Sequence, residues 1–279
     1  MQKVWLITGS ASGLGRAITE AVLAAGDRVV AGARQPSELS ALVGQYGDAL
    51  TPVELDVRDE SAANAAVREA MRLYGQLDVL VNNAGYQFNA PFEQIPADKF
   101  RDVIETCLFG VVYTTRAVIP VMREQRRGHI FQVSSIGGRV TIPGNSPYHA
   151  AKWAIGGFSD SVAEEVGPFG VRVCTLEPGG IRTNFRERAG KELPKLLPEY
   201  EASVGPIYKM MSADGRSSEN DPEKIASLII SLAEAENVPK RLILGKSANE
   251  FVERIEAARK DESMKYRDLT LSTVFSDKA

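Results

Sequence analysis

Short β-prone runs and helical stretches alternate along almost the whole chain, and this alternation restricts the fold more than any other feature. Val4–Thr8, Arg28–Ala33, Leu50–Leu55, Val79–Asn82, Gly128–Ser134, Val171–Leu176 and Arg241–Leu244 read as strands. Most are near-continuous apolar runs, the pattern of parallel strands covered on both faces. Between them Gly15–Ala25, Ser61–Tyr74, Lys99–Arg127, Pro147–Phe169 and Asp221–Glu236 are long and periodic enough for helices. Such alternation builds βαβ units, and so predicts an α/β fold with a doubly wound parallel sheet and helices on both faces. No linker or compositional shift divides residues 1–279, so one domain is expected. Residues 185–220 break the rhythm, mixing charge, prolines and apolar residues (Leu196, Leu197, Tyr200, Ile207, Tyr208, Met210, Met211) without a clear strand. Residues 246–279 read as a tail with one helix, Asn249–Arg259, and a polar end.

Bulk properties narrow the function. With 44% hydrophobic residues in 279, the chain can bury a sizeable core. A formal net charge of −3 argues against a nucleic-acid partner, which needs a basic face; the cluster Arg123–Arg127 reads as the solvated end of a helix. Cys107 and Cys174 make neither a disulfide framework nor a zinc pattern, so buried free thiols are expected and no metal. The first strand begins at Val4, without a charged leader or cleavage site, so no signal peptide is expected. No run of about 18 apolar residues stands out, and the expectation is a cytoplasmic protein with no membrane partner.

The first strand runs straight into Thr8-Gly9-Ser10-Ala11-Ser12-Gly13-Leu14-Gly15, and a helix follows. Glycines permit a tight turn and let the backbone approach a pyrophosphate, while the helix N-terminus supplies free N–H groups and partial positive charge. Strand, glycine loop and helix in that order predict a Rossmann-like dinucleotide site, with Gly9, Ser10, Ser12, Gly13, Leu14 and Gly15 as contacts. NAD selection would place a carboxylate about 20 residues past the glycines, at the end of the second strand. Here that strand ends Val29-Val30-Ala31-Gly32-Ala33-Arg34. A guanidinium matches a 2′-phosphate in charge and donor geometry, so NADP(H) is expected ahead of NAD(H).

Tyr148 and Lys152 stand four apart at the start of a helical stretch, on one face. A free tyrosine, with a pKa of about 10, is a poor proton acceptor at neutral pH. A nearby ammonium and an oxidised nicotinamide ring would lower that value, each unit requiring about 1.4 kcal/mol. Ser135, at the end of the strand Gly128–Ser134, lies at the sheet edge where ligands of open α/β sheets bind. Its hydroxyl could donate to an oxygen on which charge develops.

Taken in order, the Thr8–Gly15 loop, Leu55-Asp56-Val57, Asn82-Asn83-Ala84-Gly85, Ser135 with Tyr148 and Lys152, and Pro178-Gly179-Gly180-Ile181-Arg182-Thr183 resemble the short-chain dehydrogenase/reductase family over nearly the whole chain. The resemblance implies an oxidoreductase moving hydride between a nicotinamide cofactor and a small-molecule carbonyl or alcohol. It implies Tyr148 as general acid/base, Ser135 as carbonyl polariser, and Lys152 as holder of the nicotinamide ribose that also depresses the Tyr148 pKa. Asp56 and Val57 would border the adenine, and Asn83, Ala84 and Gly85 would line the cleft. Pro178, Gly179, Ile181 and Thr183 would cover the nicotinamide. Residues 185–220 fall where the family carries its substrate-binding loop, and a homodimer or homotetramer is expected.

One position departs from the family pattern. Cys107, in Thr106-Cys107-Leu108-Phe109-Gly110, stands where the family places an asparagine that holds a water linking the lysine to solvent. A thiol is a weak partner for water. The alternative expectation is therefore a catalytically weak, dinucleotide-sensing binding protein on the same fold. His129 and His149 read as structural or surface residues.

Overall fold

The computed structural model describes residues 2–212 and 218–275. The expected strands form: β1 (Val4–Thr8), β2 (Arg28–Ala33), β3 (Leu50–Glu54), β4 (Val79–Asn82), β5 (Gly128–Val133), β6 (Val171–Pro178) and β7 (Arg241–Leu244). They pair in parallel as one sheet in the order β3-β2-β1-β4-β5-β6-β7. β6 runs two residues past the apolar run because Glu177 and Pro178 continue the pairing with Ile243 and Leu244 of β7. The chain winds from β1 outward to β3, then returns to place β4 on the other side of β1. That reversal opens a crevice beyond the carboxyl ends of β1 and β4, where ligands of such sheets bind.

Helices α1 (Gly13–Ala24), α2 (Ser40–Tyr46), α3 (Glu60–Tyr74), α4 (Ala97–Ile104), α5 (Gly110–Gln125), α6 (Ser146–Val166), α7 (Phe185–Lys191), α8 (Gly205–Ser212), α9 (Pro222–Glu234), α10 (Lys246–Lys265) and α11 (Arg267–Leu271) complete the described fold. Successive strand side chains point to opposite faces, so each apolar strand feeds two cores. Trp5 and Ile7 of β1 and Val79 and Val81 of β4 pack under Ile18 and Val22 of α1 and Ile225 and Ile229 of α9. Leu6 and Leu80, one residue out of phase, pack with Ala66 and Ala70 of α3, Val118 and Met122 of α5 and Val162 of α6. Full burial of such side chains contributes about 1.5–3 kcal/mol each.

Three differences from the sequence expectation concern the site. The expected helix Lys99–Arg127 is a continuous run, Ala97–Gln125, interrupted by a π turn at Glu105–Phe109. Cys107 lies in that turn and is fully buried. The same run also corrects the reading of hydropathy: it is long and apolar enough to cross a bilayer, with a mean hydropathy of 1.3. Nearly half of its apolar window is buried inside the protein, where Val118 and Met122 meet the sheet. Thirdly, residues 185–220 hold two short helices, α7 and α8, with 213–217 outside the described residues. In the tail the helix is longer than Asn249–Arg259, spanning Lys246–Lys265, and residues 276–279 lie outside the described residues.

Candidate active site

The carboxyl ends of β1, β4, β5 and β6 gather the site. After β1 the chain turns through Gly9 (φ 68°) and Gly13 (φ 57°), both in the left-handed region that glycine enters without a Cβ penalty. Gly15 is required for contact: a methyl there would lie 2.2 Å from Gly9 O and 2.4 Å from Asn83 Nδ2. Asn83 clasps the loop, its Nδ2 donating to Thr8 O (3.0 Å) and Gly9 O (3.3 Å). The N–H groups of Asn83 and Ala84 both donate to Thr8 Oγ1 at 3.0 Å. Asn83 and Ala84 thereby shape the phosphate loop as well as bordering the cleft.

Ser10 departs from its expected part as a cofactor contact. Its hydroxyl donates to Ile7 O (2.7 Å) and its N–H to Gly32 O (3.0 Å), and the residue is fully buried. It shapes the loop and offers the crevice no free donor. Ser12, by contrast, is the N-cap of α1 without a side-chain capping bond, and the first turn carries no acidic residue. The orphan N–H groups of that turn are therefore open to an anion. Across from them, a methyl on Gly13 would lie 3.7 Å from Thr183 Cβ, so the loop after β6 forms the opposite lip. Ile181 bridges to Asn220, and Arg182 N–H donates to Asn220 O (3.0 Å), which holds this lip in place. The loop fits a dinucleotide phosphate.

Arg34 is exposed just beyond β2. Asp56 follows β3, and Arg58 grips its carboxylate at 2.6–3.1 Å, which holds it below the usual carboxylate range, with Arg34 adding in the same direction. Val57 is buried against Gly110, where an added methyl would lie 2.6 Å from Val57 Cγ2.

Ser135 follows β5. Its Oγ accepts from Gly137 N–H (3.0 Å) and donates to Pro178 O (3.5 Å), and it lies near enough to the Tyr148 hydroxyl to pull that group's pKa down. Ser134, its neighbour, has a buried hydroxyl with no partner among the described residues. Tyr148 and Lys152 share a face of α6, and the Lys152 ammonium lies 5.5 Å from the Tyr148 ring centroid while donating to Val133 O (2.8 Å). The Tyr148 ring also lies 6.2 Å from that of Phe185, at the start of the 185–220 segment. The structure thus brings Ser135, Tyr148 and Lys152 together at the crevice, with Gly85 beside them: a methyl there would lie 3.4 Å from Cys107 Sγ and 3.9 Å from Lys152 Nζ.

Electrostatically the protein alone does the reverse of what the sequence reading expects at Tyr148. Burial raises its pKa above the ordinary 10, the Cys107 thiol adds to the rise, and the Ser135 hydroxyl bond opposes it. Lys152 is lowered by burial, and Cys107 is raised by burial although Lys152 pulls it down. The physical reason is desolvation: a phenolate and an ammonium are both costly where water is excluded. Cys107 donates its thiol proton to Tyr86 O (3.2 Å), as a buried, free thiol.

Sequence reasoning missed two polar clusters near the site. Asn82 and Gln132 bond each other (2.8 Å) and share Thr115, while Thr114 donates to Asn82 (2.6 Å). A glutamine inside the apolar run of β5 was the available signal. On the other side, Asn145 Nδ2 donates to Gln87 Oε1 (2.9 Å), and Gln87 Nε2 lies 3.3 Å from Met211 Sδ of α8. Loop residues so far apart carry no mutual signal in the sequence.

A profile of the short chain dehydrogenase family matches residues 3–194, which hold the glycine loop, Ser135, Tyr148 and Lys152. The chain belongs to the short-chain dehydrogenase/reductase family. Among its relatives in that family, an oxidoreductase of Botryotinia fuckeliana is 42% identical over 274 residues, covering 98% of this chain and 100% of that one. A 3-ketodihydrosphingosine reductase of Bacteroides thetaiotaomicron is 31% identical, covering 95% and 96%. The crystal structure of a short-chain dehydrogenase from Streptomyces avermitilis superposes with a TM-score of 0.88 at 36% identity, covering 99% and 100%. As a short-chain dehydrogenase/reductase, the chain is an oxidoreductase that acts on CH–OH or carbonyl groups of small molecules with an NAD(P) cofactor.

Proposed function

We propose that the chain moves hydride between NADP(H), in preference to NAD(H), and a lipophilic carbonyl/alcohol pair, with Ser135, Tyr148 and Lys152 as its catalytic residues. The observation that carries the reading is the gathering of the Ser135 and Tyr148 hydroxyls beside Lys152, at the mouth of an uncapped glycine loop. Gly9, Ser12, Gly13, Leu14, Gly15, Asn83, Ala84, Gly85, Pro178, Gly179, Ile181 and Thr183 would border the dinucleotide, with Asp56 and Val57 at its adenine end. When bound, the cofactor supplies or accepts the hydride.

The chain's own residues do the rest. Ser135 accepts from Gly137 N–H, and its hydroxyl proton is held only by a long bond to Pro178 O (3.5 Å), which a substrate oxygen would replace. In the reduction direction Tyr148 holds its proton at neutral pH, as its raised pKa requires, and releases it to an oxygen held by Ser135. In oxidation the phenolate must form, and the Lys152 ammonium, 5.5 Å from the ring, is the positive group placed to stabilise it.

Arg34 supports the NADP preference, since Val29–Arg34 holds no carboxylate and the arginine is exposed just beyond β2. Phe185 against Tyr148, the apolar Val204 and Met211, and a relative named for a ketosphingoid substrate support a lipophilic carbonyl. Cys107 stands in the family's asparagine position, and its only proton is committed to Tyr86 O. The relay from Lys152 to solvent is therefore slower or differently routed. A homodimer or homotetramer is in keeping with half-exposed Phe109 and Trp153 beside α5 and on α6.

A panel of ketones and aldehydes of graded chain length, followed by NADPH absorbance, tests the reading. Turnover should rise with apolar chain length and be faster with NADPH than with NADH. A protein that binds NADPH and turns over no member of the panel contradicts it.

A further inference from the structure

His149 follows Tyr148 on α6 and is buried, though its sequence position gave it no part in the chemistry. Its ring is held at both nitrogens by backbone. Ile142 N–H donates to Nε2 at 3.0 Å, and Nδ1 lies 2.8 Å from Gly137 O. An amide N–H can only donate and a carbonyl can only accept, so the two partners together allow one tautomer: Nδ1 carries the proton and Nε2 the lone pair.

Of the two residues so gripped, Gly137 belongs to the turn that presents Ser135 and Ile142 to the loop that runs from it to α6. Gly137 N–H donates to Ser135 Oγ (3.0 Å), Gly138 N–H to Ser135 O (2.9 Å), and Arg139 and Val140 N–H to Ile136 O (2.8 and 2.9 Å). Residues 135–140 therefore move as one piece. That piece lies hard against α6: a methyl on Gly138 would come within 2.7 Å of Lys152 O, and one on Gly137 within 3.2 Å of His149 Nδ1. The imidazole ties this turn at Gly137, and the loop after it at Ile142, to the helix carrying Tyr148 and Lys152.

We propose that His149 is a positioning residue: as a neutral imidazole of fixed tautomer it clamps the Ser135 turn to α6 and sets the Ser135–Tyr148 spacing on which carbonyl recognition depends. The proposal rests on the catalytic reading of Ser135 and Tyr148. A second proton on the ring would turn Nε2 from acceptor into donor and set it against the Ile142 N–H. Burial already holds the His149 pKa below the ordinary imidazole value of 6.5, with the Gly137 carbonyl opposing. The titratable group beside it is the Tyr148 ring on its own helix, 6.4 Å away; Arg139 on the turn is engaged by Glu177 and Glu256. Neither adds to the displacement. The clamp is therefore closed at neutral pH and opens in acid.

The test compares wild type with His149→Leu, which removes both ring contacts, and His149→Asn, whose carboxamide retains a donor for Gly137 O. Crystal structures and NADPH binding are measured for all three, with kcat and KM as functions of pH. In His149→Leu the Ser135–Tyr148 spacing should widen and kcat should fall by about tenfold or more, since a small misplacement of reacting groups is costly. NADPH affinity should stay within about twofold, because the clamp does not touch the phosphate loop. His149→Asn should recover part of kcat, and the acid limb of the wild-type profile should be absent from it. An unchanged Ser135–Tyr148 spacing in His149→Leu overturns the proposal. So does a lowered melting temperature with wild-type kcat and pH profile, which is the behaviour of an ordinary core residue. If wild type itself shows no turnover, the catalytic reading fails, while the spacing in the variant structures still decides the clamp.

Discussion

Arg34 stands exposed at the end of β2 with no carboxylate beside it on that strand, and nothing but charge and donor geometry recommends it for a 2′-phosphate. Arg34→Ala should therefore weaken NADPH by about 1.5–3 kcal/mol while leaving NADH within error, the size of a charge-assisted hydrogen bond. Titration of each variant with both cofactors checks this, and equal affinities in wild type would show that Arg34 has another role. Cys107 poses the complementary question. Its thiol is buried, protonated and bonded to Tyr86 O, whose own side chain has a pKa pushed up to about 12. Cys107→Asn should raise kcat severalfold with little change in KM, the pattern of an interaction made mainly in the transition state. A brisk wild-type enzyme that loses activity in this variant would mean that the π turn has packed around the thiol and the proton leaves another way. At this scale the sequence told most about which residues come together, since Ser135, Tyr148 and Lys152, far apart along the chain, meet at one edge of the sheet. It misled where a residue type serves two uses: Ser10 has a hydroxyl suited to phosphate, yet spends it on Ile7 O. His149 was illegible because both its partners are backbone atoms, which carry no residue code.

Whereas the edge strands β3 and β7 are only partly buried, the central strands β1, β2 and β4 were legible because they are apolar runs buried on both faces, which leaves little room for another reading. Helix interiors were less so. The periodicity of 97–125 persists through the π turn, since one extra residue shifts the apolar face without erasing it. The short helices α7 and α8 hide in a segment whose prolines and charges mask them, and their order rests on contacts with distant loops, such as Gln87 with Met211. The element that most directly ties sequence to function is the turn between β1 and α1. Gly15→Ala would drive a methyl into Gly9 O at 2.2 Å, backbone that cannot yield. The variant should lose about 1–3 kcal/mol of stability and most of its NADPH affinity. Gly44→Ala, in α2 with open space around it, should instead be neutral or gain up to about 1 kcal/mol, the helix-propensity difference. Urea unfolding of the pair checks both; equal costs would mean that backbone freedom, not contact, fixes Gly15.

For the molecule as a whole, burial lowers both histidines, His129 and His149, from the ordinary value of 6.5. A group with a depressed folded pKa binds fewer protons folded than unfolded, so unfolding free energy rises with pH across that window. The stability it contributes is present above 6.5 and is lost as the pH falls below it. Asp56, lowered from 3.8 by Arg58, acts the same way but only in stronger acid. The urea midpoint should accordingly drop between about pH 7.5 and about pH 5.5, with a shallower drop in His149→Asn; a midpoint independent of pH there would show both imidazoles to be freely solvated. These are consequences of the fold, whereas the central claim concerns one hydroxyl at its crevice. Tyr148→Phe removes that hydroxyl and leaves the ring against Phe185 and the phosphate loop untouched. The most direct test is single-turnover carbonyl reduction by enzyme preloaded with NADPH, in wild type and in Tyr148→Phe. The account predicts wild-type NADPH affinity in the variant and a rate lower by about two to four orders of magnitude, the range of a lost general acid; reduction at near wild-type rate without the phenol would contradict it.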